Sequence, residues 1–460
     1  MRLLAVIFLS LAECAPSRTA VFGPVDRDVE RRIGMRAQWT GDARVPAAID
    51  QLLAKPLDRD AAVRIALASN RRLQAQYDEL GIAASEIAAA TVLAPLTVDL
   101  EHKFAHSHTS SETEIDVIQD ILDLVQLPQR RGVAQAALSA ARARAVSATV
   151  ELVARVEMAH VDVVAATQDL ELRQTTYDAA QLTADIAQRQ RTAGNIAELD
   201  LARELAQREQ ARIELARAQM ELEVRREALN ERLGLTGSRT RWTVAGQLPA
   251  IPSESPALDT LERDAVAASL ELAALRSDSE AAAGRVGIAR LRSWLPELGV
   301  GVAIDRKDGE WDAGPAISFA LPIFNQQQGP RARANAELSR ARNLTSATGT
   351  ELRARARSTR QQVLEAHAEA RHLFNVVLPL QQRIVDEALK QYNAMNLSSF
   401  ELLVARRDLA EAGRQYIDAA RRYWRAEATA RALARGGLVE AGVETAVTSG
   451  TSSAPSSGEH

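Results

Sequence analysis

The amino-acid sequence predicts a mainly α-helical protein with a small β part, and three observations lead to this prediction. Long stretches without Gly or Pro carry apolar residues at helical spacing, short segments alternate apolar and polar residues, and the two halves of the chain repeat each other at an offset of about 201 residues. Hydrophobic residues make up 46% of the chain, whereas aromatic residues make up only 4%. We therefore expect a core of Ala, Leu and Val in closely packed helices.

The longest predicted helix runs from residue 133 to residue 193, where the chain has neither Gly nor Pro. A continuous helix of that length would extend for about 90 Å. A second such run, 195–233, follows Gly194, which predicts a helical hairpin or a bend there. The second half repeats this pattern around 393–399. Because such rods bury an apolar stripe only against other rods, we expect long coiled-coil hairpins in a bundle that other subunits complete.

The internal repeat is clearest along the helix that returns from each hairpin. Its apolar residues alternate at spacings of four and three, with an interruption at Arg225 in the first half, and this is the 3.5-residue period of a coiled coil. The same shift maps Gly194 onto Met395 and Asp200 onto Glu401. The two repeats are therefore expected at 57–236 and 257–436, joined by a linker at 237–256. The seam residues of the first half, followed by their counterparts, are Ala211, Leu215, Ala218, Leu222, Leu229, Ala412, Tyr416, Ala419, Tyr423 and Ala430.

Each half also contains segments with the two-residue period of a β-strand with one apolar face. In the first half this period covers 96–104, and in the second half 298–304 and 311–323 flank a turn-rich stretch and predict a hairpin. A fourth strand is expected near 114–124, although these residues also fit a helical stripe. The hairpin arms have the length of tilted transmembrane strands, and Trp294, Trp311 and Phe324 stand near their ends, where interfacial aromatics belong.

No stretch of the sequence reaches the 18 or more apolar residues that a transmembrane helix needs. A membrane location would therefore depend on strands. Four strands cannot close a barrel alone, and open sheet edges are not tolerated in lipid. We therefore expect the strands to be shared between subunits.

The N-terminal residues have the order of a secretory signal, with Arg2 followed by an apolar run, so 1–13 is interpreted as a signal peptide. The single cysteine, Cys14, follows that run as in the lipobox of bacterial lipoproteins, although Glu13 stands where that motif normally has a small residue. The alternative is an ordinary signal peptide with an incidental cysteine. Residues 14–56 are interpreted as an extended, irregular arm, and the Ser-, Thr- and Gly-rich residues 437–460 as a disordered tail.

Several classes of function find no support in the residues. Lys and Arg (56) nearly balance Asp and Glu (60), so the chain lacks the basic footprint of a nucleic-acid-binding protein. Of the seven histidines, His102, His106 and His108 fit an exposed loop better than a metal site, while His367 and His372 lie on different faces of a helix. No catalytic motif of the HExxH, GxSxG or Walker type occurs. Neither an enzyme nor a cofactor is expected.

A family resemblance is carried most strongly by 314–326, which reads Gly-Pro-Ala-Ile-Ser-Phe-Ala-Leu-Pro-Ile-Phe-Asn-Gln and is followed by Gly329 and Ala332. This stretch resembles the strand-to-helix exit of the TolC family of outer-membrane efflux proteins, and more closely its heavy-metal branch, typified by CusC and CzcC. The resemblance covers roughly 57–436. It departs where Met395 and Arg191 replace the family's usual Gly and aromatic residue.

The resemblance implies a homotrimer in which each subunit gives four strands to a twelve-stranded barrel, with the helices continuing as a periplasmic tunnel. It implies the outer membrane of a Gram-negative bacterium, with outer-membrane lipid, a periplasmic adaptor and an inner-membrane efflux transporter as partners. The implied function is passive conduction from the periplasm or pump to the outside. The similarity of the exit motif to that of the heavy-metal branch favours heavy-metal cations as the cargo, and a drug or a secreted protein remains an alternative.

Asp200 and Glu401 are the residues that we expect at the periplasmic aperture of such a duct. Each lies six positions after its hairpin landmark, Gly194 or Met395, and acids at these points resemble the constriction of the family. Both could instead be ordinary helix-surface charges, because Arg203 stands three residues after Asp200.

A different class of function also fits part of the sequence. The chain could be a soluble or lipid-anchored periplasmic coiled-coil scaffold, in which case the alternating segments would be buried hairpins. It could also be a periplasmic adaptor, although no segment resembles the small all-β domains that adaptors carry.

Overall fold

The computed structural model describes residues 17–39, 45–92, 94–104, 111–244, 246–307, 310–320 and 326–439. The predicted signal peptide, Cys14, Phe324, and nearly all of the predicted tail lie outside these ranges, as do His106 and His108. The described helices, in chain order, are α1 (Arg18–Ile33), α2 (Val45–Leu53), α3 (Arg59–Ser69), α4 (Arg71–Thr91), α5 (Leu122–Thr192), α6 (Glu198–Leu233), α7 (Leu261–Ala268), α8 (Leu270–Trp294), α9 (Gln328–His372), α10 (Leu378–Asn393) and α11 (Ser399–Ala434). The strands are β1 (Thr97–Phe104), β2 (Ser111–Asp120), β3 (Leu298–Lys307) and β4 (Glu310–Phe319).

The first half contains the long helical hairpin that the sequence predicts. Helix α5 has 71 residues, which corresponds to about 105 Å. It begins where Asp120 Oδ1 accepts a hydrogen bond from Leu122 N at 2.8 Å, and it ends before Gly194, whose φ of 77° is left-handed. Helix α6 then returns along α5 and ends at Gly234, which is also left-handed.

The second half follows the same order but contains a π-helical turn that the sequence did not predict. Helix α9 passes through one π-helical turn, Leu373–Val377, into α10. Pro379 lies two residues after this turn and has no N–H to continue an α-helical ladder. Helix α11 begins with a capping box in which Ser398 and Glu401 satisfy each other's backbone groups.

The four strands form one antiparallel sheet in the order β1-β2-β3-β4. The hairpin predicted in the second half is confirmed, since Leu298 pairs with Phe319 and Val300 with Ile317. The ambiguous fourth segment is a strand as far as Asp120, after which α5 begins. In the described part of the chain, β1 and β4 each pair on one side only, which leaves two sheet edges available for other strands.

The prediction of an extended arm at 14–56 is wrong, because these residues contain helices α1 and α2. The Ser17 side chain caps α1, and Val21, Val25 and Val29 recur every fourth residue and lie in the core. Burying three valines on one face stabilises this helix even though it contains Pro24. The pattern was missed because charged residues and helix breakers surround these valines.

The N-terminal helix α1 also connects the two halves. Arg32 of this helix donates hydrogen bonds to the carbonyl oxygens of Ala268 (3.1 Å) and Arg435 (2.7 Å), at the C-terminal ends of α7 and α11. These carbonyls have no partner within their own helices, so a guanidinium is a favourable cap.

Candidate functional site

One face of the sheet is apolar and exposed. The register aligns alternate residues of all four strands on this face, and the side chain of Leu100 is 70% exposed while that of Ile317 is 69% exposed. A contiguous apolar face of this kind marks a surface that contacts protein or membrane. Its aliphatic members are Val98, Leu100, Ile115, Val117, Leu298, Val300, Val302, Ile304 and Ile317.

Aromatic residues stand at the borders of this apolar face. Trp294, just before β3, is 77% exposed, and Trp311, near the start of β4, is stacked against Arg306 with 5.4 Å between the guanidinium carbon and the ring centroid. His102 and Thr113 share a hydrogen bond of 2.8 Å and lie in the same cross-strand row as Arg306 and Trp311. Rings at the edges of an apolar band are typical of strands at membrane interfaces.

The opposite face of the sheet is strongly acidic. Glu101 pairs with Glu114, Glu114 with Asp305, and Asp305 with Asp312, so one row of four carboxylates crosses all four strands. Residues directly opposite each other in antiparallel strands have Cβ atoms about 5 Å apart, and like charges there are destabilising. Sheet stability therefore does not explain this row, whereas a role in attracting cations would.

The other charged residues on this face leave it with a net negative charge. Toward the turns, Lys103, Glu112, Lys307 and Glu310 alternate in sign, with Lys103 Nζ 3.5 Å from Glu101 and 3.7 Å from Glu114. Nine acids face two lysines on this side of the sheet. The acids are Asp99, Glu101, Glu112, Glu114, Asp116, Asp120, Asp305, Glu310 and Asp312.

The ends of the two helical hairpins lie close together. Arg203 of α6 stacks on Phe400 of α11, with 5.7 Å between the guanidinium carbon and the ring centroid. Gly194 turns the first hairpin with φ 77°, and Met395 turns the second with φ 58°. A left-handed backbone at methionine is unfavourable, and this side chain is 94% exposed.

The two predicted aperture residues lie in the first turns of α6 and α11. Asp200 is exposed and pairs with Arg203 at 3.5 Å, as the sequence spacing allowed. Glu401 accepts hydrogen bonds from the backbone N–H of Ser398 (3.0 Å) and from its hydroxyl (2.9 Å), and these bonds lower the pKa of Glu401. The structure thus brings the two acids to neighbouring helix starts and gives each a local partner.

Two of the histidines on the long helices bind the backbone of neighbouring loops. His160 Nε2 donates to the carbonyl of Leu57 (3.0 Å), and His367 Nε2 donates to the carbonyl of Pro252 (2.9 Å). Burial lowers the pKa of His160, which favours its neutral form. Within the described ranges, no group of three or more His, Cys, Asp or Glu residues is arranged to hold a metal ion.

In the described part of the chain, no helix has both the length and the apolar character needed to cross a membrane.

The comparisons with known proteins agree with this geometry. No family model matches the chain. The cobalt-zinc-cadmium resistance protein CzcC of Cupriavidus metallidurans is 27% identical over 387 residues, which cover 82% of this chain and 90% of that protein.

Solved structures of outer-membrane channels share the fold. The Campylobacter jejuni outer-membrane channel CmeC superposes with a TM-score of 0.67 at 14% identity, covering 83% of this chain and 86% of that one. The outer-membrane channel OprN gives 0.65 at 18% identity, with 86% and 93% covered. CusC, described as forming a transmembrane channel, gives 0.58 at 18% identity, with 83% and 92% covered. The chain therefore has the fold of the TolC-like outer-membrane channels, and its resemblance to that family and to the heavy-metal branch is confirmed.

Proposed function

We propose that the chain is the outer-membrane channel subunit of an efflux system and that it conducts its cargo passively from the periplasm to the outside. The observation that carries this proposal is the sheet, which has one exposed apolar face, one acidic face and two edges. Such a sheet is stable in lipid only when other strands close it into a barrel with the acidic face inside. The similarity to CzcC and the shared fold support the same function.

The family resemblance implies a homotrimer, and the two sheet edges are compatible with it. Three copies of a four-stranded sheet make a twelve-stranded barrel, and three copies of the four-carboxylate row would form one ring of twelve carboxylates inside it. The long hairpins would continue below as a tunnel toward a periplasmic adaptor and an inner-membrane transporter. The two repeats, 57–236 and 257–436, would then contribute equivalent pieces of wall, since each has two shorter helices, a strand pair and a long hairpin.

The charges favour cations as the cargo, and the similarity to the cobalt-zinc-cadmium resistance protein CzcC favours heavy-metal cations among them. The acidic sheet face lies at one end of the molecule, and Asp200 and Glu401 lie near the hairpin ends at the other. In a trimer, the six carboxylates of Asp200 and Glu401 would surround one aperture. Carboxylates lining a narrow passage raise the local concentration of cations and exclude anions.

Single-channel recording of the purified protein in planar bilayers tests this proposal. We expect a cation-preferring pore whose preference falls when Asp200→Asn is combined with Glu401→Gln, and whose block by divalent ions weakens. The matched control combines Glu209→Gln with Asp408→Asn, which removes exposed acids two turns further along the same helices.

A second variant addresses the sheet by neutralising Glu101, Glu114, Asp305 and Asp312 as amides. It should also reduce cation preference, because the proposed ring faces the lumen. An unchanged preference in both variants would show that these carboxylates are surface charges. Failure to form any pore would contradict the channel itself.

We also propose that Cys14 is acylated after signal cleavage, which would anchor the mature N-terminus to the inner leaflet of the outer membrane. One anchor supplements a barrel and does not replace it. Metabolic labelling with a fatty acid should mark the protein, and Cys14→Ala should lose the label. Equal labelling of that variant would mean that Glu13 prevents lipobox processing.

A further inference from the structure

Glu204 is an acidic residue at a buried seam position of the first hairpin. It lies in the seam of α6, three residues after Leu201 and seven before Ala211, both of which are buried. Its counterpart in the second repeat is Ala405, which is also buried. The Glu204 residue is only 3% exposed.

The surroundings of Glu204 offer its carboxylate little compensation. Two ion pairs join α5 to α6, Arg191 with Glu198 (3.0 Å) and Arg173 with Glu214. They set the register between the two helices, and in this register Glu204 lies opposite Ala184. In this stretch α5 buries only Ala180, Ala184 and Ala187. Among the described residues, Glu204 Oε2 is buried without a hydrogen-bond donor.

The charged groups near this position are engaged elsewhere, are exposed to solvent or carry the same sign. Burial raises the pKa of Glu204, and the negative charge of Asp200, one turn away, raises it further. Four cations of the neighbouring helices pair with other acids, and two more, Arg189 of α5 and Arg406 of α11, are exposed to solvent. These pairs are Arg191 with Glu198, Arg203 with Asp200, Arg208 with Glu209 and Arg407 with Asp408, while Asp185 on α5 is exposed and Glu401 on α11 binds Ser398.

We propose that Glu204 makes the end of the α5–α6 hairpin sensitive to protons, with the neutral carboxyl packed in the seam and the ionised carboxylate forcing the two helices apart. Burying a charge without a partner is strongly unfavourable, so ionisation is met by local separation and hydration. That this hairpin end stands at the entrance of a duct rests on the proposed function, whereas its proton sensitivity does not.

The sign of the effect follows from linkage. The packed state binds the proton more tightly than an open state in which Glu204 is hydrated and has its ordinary pKa of 4.5. Packing of the two helices is therefore most favourable at a pH below the ordinary pKa of Glu204. It weakens as the pH rises toward the raised pKa of the packed state, and above that pKa it changes no further. Each pH unit between the two values shifts the opening equilibrium about tenfold.

Hydrogen exchange of the full-length protein in detergent at pH 4.5 and pH 7.5 tests this proposal without any transport assay. After correction for intrinsic exchange, amides in 180–207 should lose protection at the higher pH. Glu204→Gln should remove this pH dependence. Glu204→Ala, which copies Ala405, should give high protection at both pH values and keeps the test valid if the amide variant folds poorly.

The control variant is Glu209→Gln, which removes the same charge from an exposed position of α6 paired with Arg208 at 2.6 Å. It should retain the pH dependence of the natural protein. Identical pH dependence in the natural protein and in both Glu204 variants would overturn the proposal, as would uniform protection at both pH values. Either result would leave the channel proposal intact.

Discussion

Two glycines at the ends of the returning helices make the same contact in both halves. Gly234 has φ 68°, and a Cβ built there would lie 2.8 Å from the carbonyl oxygen of Ser69, at the end of α3. Gly436 has φ 90°, and a Cβ there would collide with the carbonyl oxygen of Ala268, at the end of α7. Both positions thus require glycine for backbone conformation and for close approach.

Replacing either glycine should destabilise the protein. Gly234→Ala and Gly436→Ala should each cost more than about 1 kcal/mol, because a left-handed alanine is strained and its methyl group displaces backbone. Gly349→Ala is the control, since it lies within α9 with open space and normal φ. Alanine there should be neutral or stabilising by up to about 1 kcal/mol. Thermal unfolding of the three variants measures this, and equal melting temperatures would contradict the contact.

The roles of some of these individual residues can be predicted from the sequence, and the roles of others cannot. The spacing between Gly234 and Gly436 follows the internal repeat, and glycine is typical of helix ends, so both were accessible to sequence reasoning. Glu204 was not, because a lone acid in an Ala-rich helix looks like a solvated residue until its partner helix is known. The link from Arg32 to two helix ends was equally hidden, since it joins residues that are 236 and 403 positions apart.

Among the elements, the sheet supports the most direct prediction. Val302 lies on the apolar face and Ala303 on the acidic face, where it pairs with Asp116. If the apolar face contacts lipid, Val302→Arg should cost about 2 to 4 kcal/mol at the bilayer midplane and reduce trimer assembly. Ala303→Arg should be tolerated better, because it gains an acidic neighbour.

Semi-native electrophoresis of membrane extracts measures the assembly of these two variants. Greater damage from Ala303→Arg than from Val302→Arg would show that the two faces are reversed. Normal assembly of the Val302→Arg protein would show that the segment is not in lipid.

Alternation along single strands predicted the apolar face, but the row of four carboxylates also requires the register between strands. The register between strands depends on where each turn closes, and the turn residues in this sequence do not predict a single turn position. The π-helical turn was missed for a similar reason. Pro379 alone predicts a kink or a break, whereas a π turn depends on how α9 and α10 pack along α11.

For the whole molecule, the repeat and the family resemblance predicted the fold, whereas the junction between the halves came only from the structure. Asp162 of α5 pairs with Arg425 and with Arg421 (3.6 Å), both on α11. This buried junction joins the first repeat to the second. Charged residues of this kind carry no pattern in the sequence, because their partners lie more than 250 positions away.

The alternative of a periplasmic scaffold differs from the channel in how the chain is held to the membrane. A scaffold without a lipid anchor would be released by salt, whereas a lipid-anchored scaffold would need detergent but would not migrate as a heat-sensitive trimer. A trimer with a closed barrel is released only when detergent replaces lipid.

Fractionation of cells that produce the natural protein tests the central claim most directly. The protein should remain with the outer membrane after a high-salt wash and should need detergent for extraction. It should migrate as a trimer when unheated and as a monomer after heating. Release by high salt, or recovery as a soluble monomer, would contradict the channel and favour the scaffold.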